Sequence, residues 1–169
     1  MDPILDKARG GQNALERIMN AIPGFRGYRE KELRRDSDRA QREHLAHVLG
    51  ENKKALDEVA NGATLSGSFD LINDVEKARK RLDRVANRLR FADRGYAGFF
   101  DTVKVDEAML ARVYEFDMSL LQGVESVGAA ASAAQAGPDQ RSALLQMVAQ
   151  LDAMDRALSE REAILAGVK

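Results

Sequence analysis

SFDLINDVEKARKRLDRVANRLRFA (Ser68–Ala92) decides how the rest of the chain is read. Leu71, Val75, Ala78, Leu82, Val85, Leu89 and Ala92 recur at alternating spacings of four and three residues. That spacing gathers them on one stripe of an α-helix and leaves Glu76, Lys77, Arg79, Lys80, Arg81 and Arg84 around the remaining surface. A half-buried strand would need alternation with period two instead. The stretch predicts a coiled-coil-like helix over about residues 68–92, with Ser68 as its N-cap.

The same alternation continues downstream. Leu110, Val113, Asp117, Leu120, Val124, Val127, Ala131 and Ala134 form a stripe for a helix over 106–136, with Asp106 as N-cap and Glu107 in its first turn. Asp117 is the polar break in it. Gly137-Pro138 separates this helix from one over 138–166, whose stripe runs Leu144, Met147, Leu151, Met154, Leu158, Arg161 and Leu165. Arg161 is the break there.

Upstream, residues 28–60 contain no proline and read as one long helix. Its second half carries Leu45, Leu49, Leu56 and Val59. Its first half has few apolar residues but spaces Glu30 with Arg34 and Asp38 with Arg42 for mutual support. That half is expected to project beyond the core or to touch it through one thin edge. NGATLSGS (Asn61–Ser68) reads as a loop. At the front, Ile4, Leu5, Ala8, Leu15, Ile18, Met19 and Ile22 mark one face of a short amphipathic helix, which Pro23-Gly24 ends.

The expected fold is therefore all-α. It is an elongated, antiparallel, up-down four-helix bundle with coiled-coil-like packing over residues 23–169, led by an amphipathic helix over 1–22. Thirty helical residues span about 45 Å, so a rod is expected.

Composition agrees with one domain. The chain has 169 residues, 44% hydrophobic and 31% charged, and only 5% aromatic, so the core must be aliphatic. It has no cysteine, which removes disulfides, thiolate metal sites and thiol nucleophiles and suits a cytoplasmic setting. No apolar run is long enough to cross a bilayer, and the first residues lack the basic start and apolar block of a secretory signal. Charge is uneven. Residues 1–100 carry 20 basic against 16 acidic side chains, net +4, and residues 101–169 carry 6 against 11, net −5. Either an antiparallel bundle lays one half against the other, or a basic face is exposed for nucleic acid or anionic lipid.

Two Gly-aromatic corners interrupt the helices: IPGFRGY (Ile22–Tyr28) and GYAGFFDTVKVDE (Gly95–Glu107). In an up-down order both fall at the same end and are expected to pack into one aromatic cap. The competing reading leaves Tyr96, Phe99 and Phe100 exposed as anchors for a protein partner, together with Ile4, Leu15 and Ile18 on the leading helix. The exposed arginines of residues 29–42 belong to the same set of contacts.

KARKRLDRVANRLR (Lys77–Arg90) carries seven basic residues against one acid. Its Lys77, Lys80, Arg81, Arg84 and Arg88 suit backbone phosphates, although no aromatics interleave for base stacking. His44 and His47, one turn apart, could share a metal completed by Asp117. A buried Asp more often pairs with Arg, His or a tyrosine hydroxyl, or fixes bundle register. No nucleophile, phosphate loop or other catalytic constellation emerges, and no cofactor is called for.

The segments IPGxxGY and GYxxFFDxVKVDE, within a stretch covering most of residues 20–122, make the chain resemble a family of bacterial all-helical proteins of uncharacterised function. The resemblance brings no activity, cofactor or site to transfer. The function expected from the residues is a non-catalytic interaction or scaffold module that binds a protein partner or itself. The alternatives are a peripheral membrane-surface or nucleic-acid binder using the basic face, and a metal-binding bundle.

Overall fold

In the computed structural model, the backbone of residues 3–92 and 97–167 is described, and the side chains of 9–92 and 98–167. The elements are α1 (Pro3–Ala21), a 3₁₀ turn (Lys31–Leu33), α2 (Arg34–Glu51), α3 (Lys53–Ser66), α4 (Phe69–Phe91), α5 (Ala97–Asp101), α6 (Glu107–Ala136) and α7 (Gln140–Ala166). The described residues contain no strand, so the chain is all-helical.

Each stripe read from the sequence faces inward. Val75, Ala78, Leu82, Val85 and Leu89 of α4 are at most 1% exposed, as are Leu144, Met147 and Leu151 of α7. These residues meet Val113, Leu120, Val127 and Ala134 of α6 in one continuous core. Within it α6 packs on α7, α7 on α4, α4 on α2 and α3, and α2 and α3 on α6, while α1 lies against α6. The caps hold α6 and α7 as expected from their first residues. Asp106 accepts a hydrogen bond from the Met109 N–H at 2.7 Å, and Asp139 from the Ser142 N–H at 3.0 Å. Ser68 precedes α4 but makes no such bond; its hydroxyl pairs with Ser66 Oγ at 2.8 Å instead.

The expected single helix over 28–60 is corrected in three ways. It starts only at Arg34, after an extended Glu30 and a short 3₁₀ turn. It is interrupted at Asn52, whose amide Nδ2 donates back to the carbonyls of Val48 and Leu49 and competes with the helical ladder. It then runs on to Ser66, through the stretch expected to be a loop, because Val59 and Ala63 keep the apolar face in the core while Asn61 and Gly62 lie on the solvent side. The turn comes at Gly67, left-handed at φ 70°, where its N–H and that of Ser68 satisfy the last carbonyls of α3.

The first half of α2 does not project. Arg34, Ser37, Asp38, Gln41 and Arg42 are all buried. These polar side chains line the interior because hydrogen-bonding and charged partners meet them there: Arg161 at Asp38 and Gln41, and backbone carbonyls at Arg34 and Arg42.

Candidate functional site

Two features of this architecture collect chemistry: a buried charged node near the two corners, and an open groove between α1 and α6.

The node begins at the two stripe breaks. Asp117 is fully buried and Arg161 is 2% exposed. Arg161 Nε donates to Asp117 Oδ1 at 2.6 Å, and its Nη2 reaches Asp38 Oδ1 at 2.9 Å, the Tyr28 hydroxyl at 3.0 Å and Gln41 Oε1 at 3.2 Å. The Tyr28 hydroxyl donates to Asp117 Oδ2 at 2.6 Å. Arg42 closes the far side, donating to Asp38 Oδ2 at 2.8 Å and to the Leu89 carbonyl at the end of α4 at 2.9 Å. Two arginines thus balance two aspartates, and the node ties α2, α4, α6, α7 and the first corner together. Among the described residues, Gln41 Nε2 is the one buried atom of the node without a hydrogen-bond partner.

Electrostatics follow from this geometry. Burial and then the Asp117 carboxylate push the Tyr28 hydroxyl well above its ordinary value, so it stays protonated and donates. Burial works against the charge on Arg161, but Asp117, Tyr28 and Asp38 outweigh it and hold its guanidinium well above the usual range. Burial also raises the Tyr114 hydroxyl, which accepts the Tyr28 N–H at 2.8 Å.

The corners do form an aromatic cap. Tyr28 stands at its centre, edge-on to Phe25 and Phe99 at centroid distances of 5.3 and 5.7 Å and stacked on Tyr114 at 5.5 Å. Phe100 abuts Phe99 at 5.5 Å. Arg34 lies over Phe99 and donates to the carbonyls of Tyr28, Phe99 and Thr102, which clamps the second corner to the first. Arg34 sits among carbonyls with no carboxylate bound to it, and burial lowers its pKa.

The expected contact residues distribute unevenly. Phe99 and Phe100 are buried, 0% and 5% exposed, so they serve as a cap and offer no exposed anchor, a correction to the docking reading. Ile18 is corrected likewise; it is fully buried between α1 and the core. Tyr96 and the side chain of Ile4 lie outside the described residues. Leu15 alone of the described set borders open space. Of the arginines expected to be exposed on residues 29–42, Arg29, Arg35 and Arg39 are exposed but paired with Glu107, Asp101 and Glu43, and Arg34 and Arg42 are buried.

The basic face of α4 meets the acids of α7. Arg81 pairs with Asp152 at 3.1 Å, Arg84 with Asp155 at 3.0 Å, and Arg88 with Asp155 at 2.7 Å and Glu162 at 3.0 Å. Lys77 approaches Asp74 at 3.6 Å, and Lys80 is exposed. The uneven charge of the two halves is thereby largely neutralised within the fold.

The histidines do not join Asp117. His47 is exposed and lies 3.6 Å from Glu51, His44 is half-buried, and both Asp117 oxygens are taken by Tyr28 and Arg161. Among the described residues no group of three or more His, Asp or Glu side chains could hold a metal.

The groove was not anticipated from the sequence. It encloses about 400 Å³ between α1 and the first turns of α6, with Gly11, Leu15, Ala108, Ala111 and Tyr114 in its walls. Its narrow end is set by Gly11, where an added Cβ would stand 3.2 Å from that of Ala111. The two helices therefore meet closely there. Arg29, Glu107, Arg112 and Glu115 form its rim. Only the small residues Ala108 and Ala111 on one edge of α6 hinted at an open face.

Comparison with family models, with curated proteins and with solved structures produced no match to this chain.

Proposed function

We propose that this chain is a non-catalytic helical interaction module that acts through protein–protein contacts. Its frame is an elongated up-down four-helix bundle in which α2 and α3 count as one bent member and α1 rides outside on α6. The observation that carries the reading is the α1/α6 groove. It is an apolar recess with a charged rim, of the size that takes inserted side chains of a partner.

Two further observations support it. The ionisable groups buried in the node are partnered within the fold, so their chemistry goes to holding helices together. No helix among the described residues is long and apolar enough to cross a membrane. The rival reading, a binder of phosphate-rich surfaces, draws less support because Arg81, Arg84 and Arg88 already face acids of α7. Among the described residues of α4, Lys80 and Arg90 are exposed without an ion pair and Lys77 is held only loosely by Asp74 at 3.6 Å, so a continuous row of free cations is not presented.

Ala108→Arg tests the proposal, since Ala108 is exposed and the substitution fills the groove without disturbing the core. Tagged chain recovered from producing cells should carry a polypeptide, another protein or a second copy, at fixed stoichiometry, and the variant should lose it. Absence of any stoichiometric polypeptide, or its retention by the variant, would sink the reading.

A further inference from the structure

We infer that the α1/α6 face pairs with the same face of a second copy of this chain, about a two-fold axis passing between Arg112 and Glu115. This rests on the reading of that face as an interaction surface and names its partner.

The rim carries the argument. Arg112 and Glu115 are both exposed and stand three residues apart on the outer side of α6. Neighbours at that spacing can reach each other. Yet within the described chain neither forms an ion pair, whereas Arg29 and Glu107 on the same rim are bound to each other at 2.7 Å. One cation and one anion thus lie side by side without partners. A two-fold rotation that runs two α6 helices antiparallel sets Arg112 against Glu115 of the partner subunit, and Glu115 against Arg112 of the partner subunit. Self-complementarity of this kind is what an isologous interface requires. A partner segment of a single charge sign would gain at one of the two positions and be repelled at the other.

The apolar surface fits the same occupant. Met19 lies one turn beyond the groove residue Leu15 on α1 and is a large apolar side chain left 47% exposed. Each copy therefore offers an exposed apolar side chain on α1 as well as an apolar recess. Ala108 and Ala111 keep the edge of α6 low enough for a second helix to approach closely.

The test is the mass of the purified full chain by sedimentation across the micromolar range. The wild type should reach twice the 18.6 kDa of one chain. Arg112→Glu and Glu115→Arg each place like charges at both symmetry-related contacts and should raise the dissociation constant on the order of 100-fold. Both positions are exposed, so the thermal melts of these variants should match the wild type. An equimolar mixture of the two should restore a dimer, because each chain then supplies the charge the other lacks. A wild type that stays monomeric, a dimer indifferent to both reversals, or a mixture that stays monomeric would each overturn self-pairing. If instead a different polypeptide co-purifies at fixed stoichiometry and is lost with Ala108→Arg, self-pairing fails while the interaction reading stands.

Discussion

Replacing Arg161 by Met removes the hub of the charged node, and the cost can be worked from its partners. Met fills much of the same apolar volume, so the loss is chiefly electrostatic. Asp117 would keep only the Tyr28 hydroxyl and Asp38 only Arg42, which leaves two buried carboxylates facing one guanidinium. Removing one partner of a buried pair costs about 3–5 kcal/mol, a large share of the about 5–15 kcal/mol that a domain of this kind possesses. With a urea m-value of about 2 kcal/mol per molar, the midpoint followed by far-ultraviolet circular dichroism should fall by about 2 M. Asp117→Asn in the same background removes the stranded charge. The double variant should then be about 1–3 kcal/mol more stable than the sum of the two single losses implies. A cost below about 1 kcal/mol for Arg161→Met, or strict additivity in the cycle, would show that Asp117, Asp38 and Arg161 are not energetically linked and would refute this reasoning.

Other expectations follow from neighbouring contacts. Phe99→Ala should destabilise by about 3–5 kcal/mol, because its ring is fully buried against Tyr28, Phe100 and Arg34; a loss under about 1 kcal/mol in thermal unfolding would contradict the cap. Gly67→Ala should cost about 1 kcal/mol, since φ is 70° but the space around an added Cβ is open, so the penalty is conformational alone. An unchanged midpoint would argue against the left-handed end of α3. Tyr28 and Tyr114 have folded-state values raised above that of the unfolded chain, about 10, so their contribution is fully present below that pH and is lost as pH rises above it. Stability of the wild type should therefore fall above about pH 10, and Tyr28→Phe should reduce that slope by up to about one proton, or about 1.4 kcal/mol per pH unit. An equal slope in both would contradict the burial of a neutral Tyr28.

The helices were legible wherever the apolar stripe was regular. α4, α6 and α7 lie within two residues of the spans that their stripes predict, and both stripe breaks proved to be partners, Asp117 with Arg161. Each break is visible in its own helix, but their meeting depends on the alignment of α6 against α7, which no local pattern encodes. Asp38 and Arg42 misled for the same reason. An i, i+4 pair looks alike on a solvated face and in a core, and only the arrival of Arg161 and the carbonyl end of α4 distinguishes the two. Residues 61–66 carry turn-forming side chains, yet burial of Val59 and Ala63 outweighs their weak preference and keeps them helical. The groove lies between α1 and α6, so it depends on how the two helices are placed against each other, a tertiary quantity with no signature in the heptads.

That the α1/α6 face is where this chain meets another polypeptide can be tested with a photo-crosslinking side chain at the exposed groove residue Gln12 in producing cells, with Lys80 on α4 as the control position. One discrete protein adduct is expected from position 12, of twice the chain mass if self-pairing holds, and none from position 80. Equal labelling from both positions, or no protein adduct at all, would contradict it.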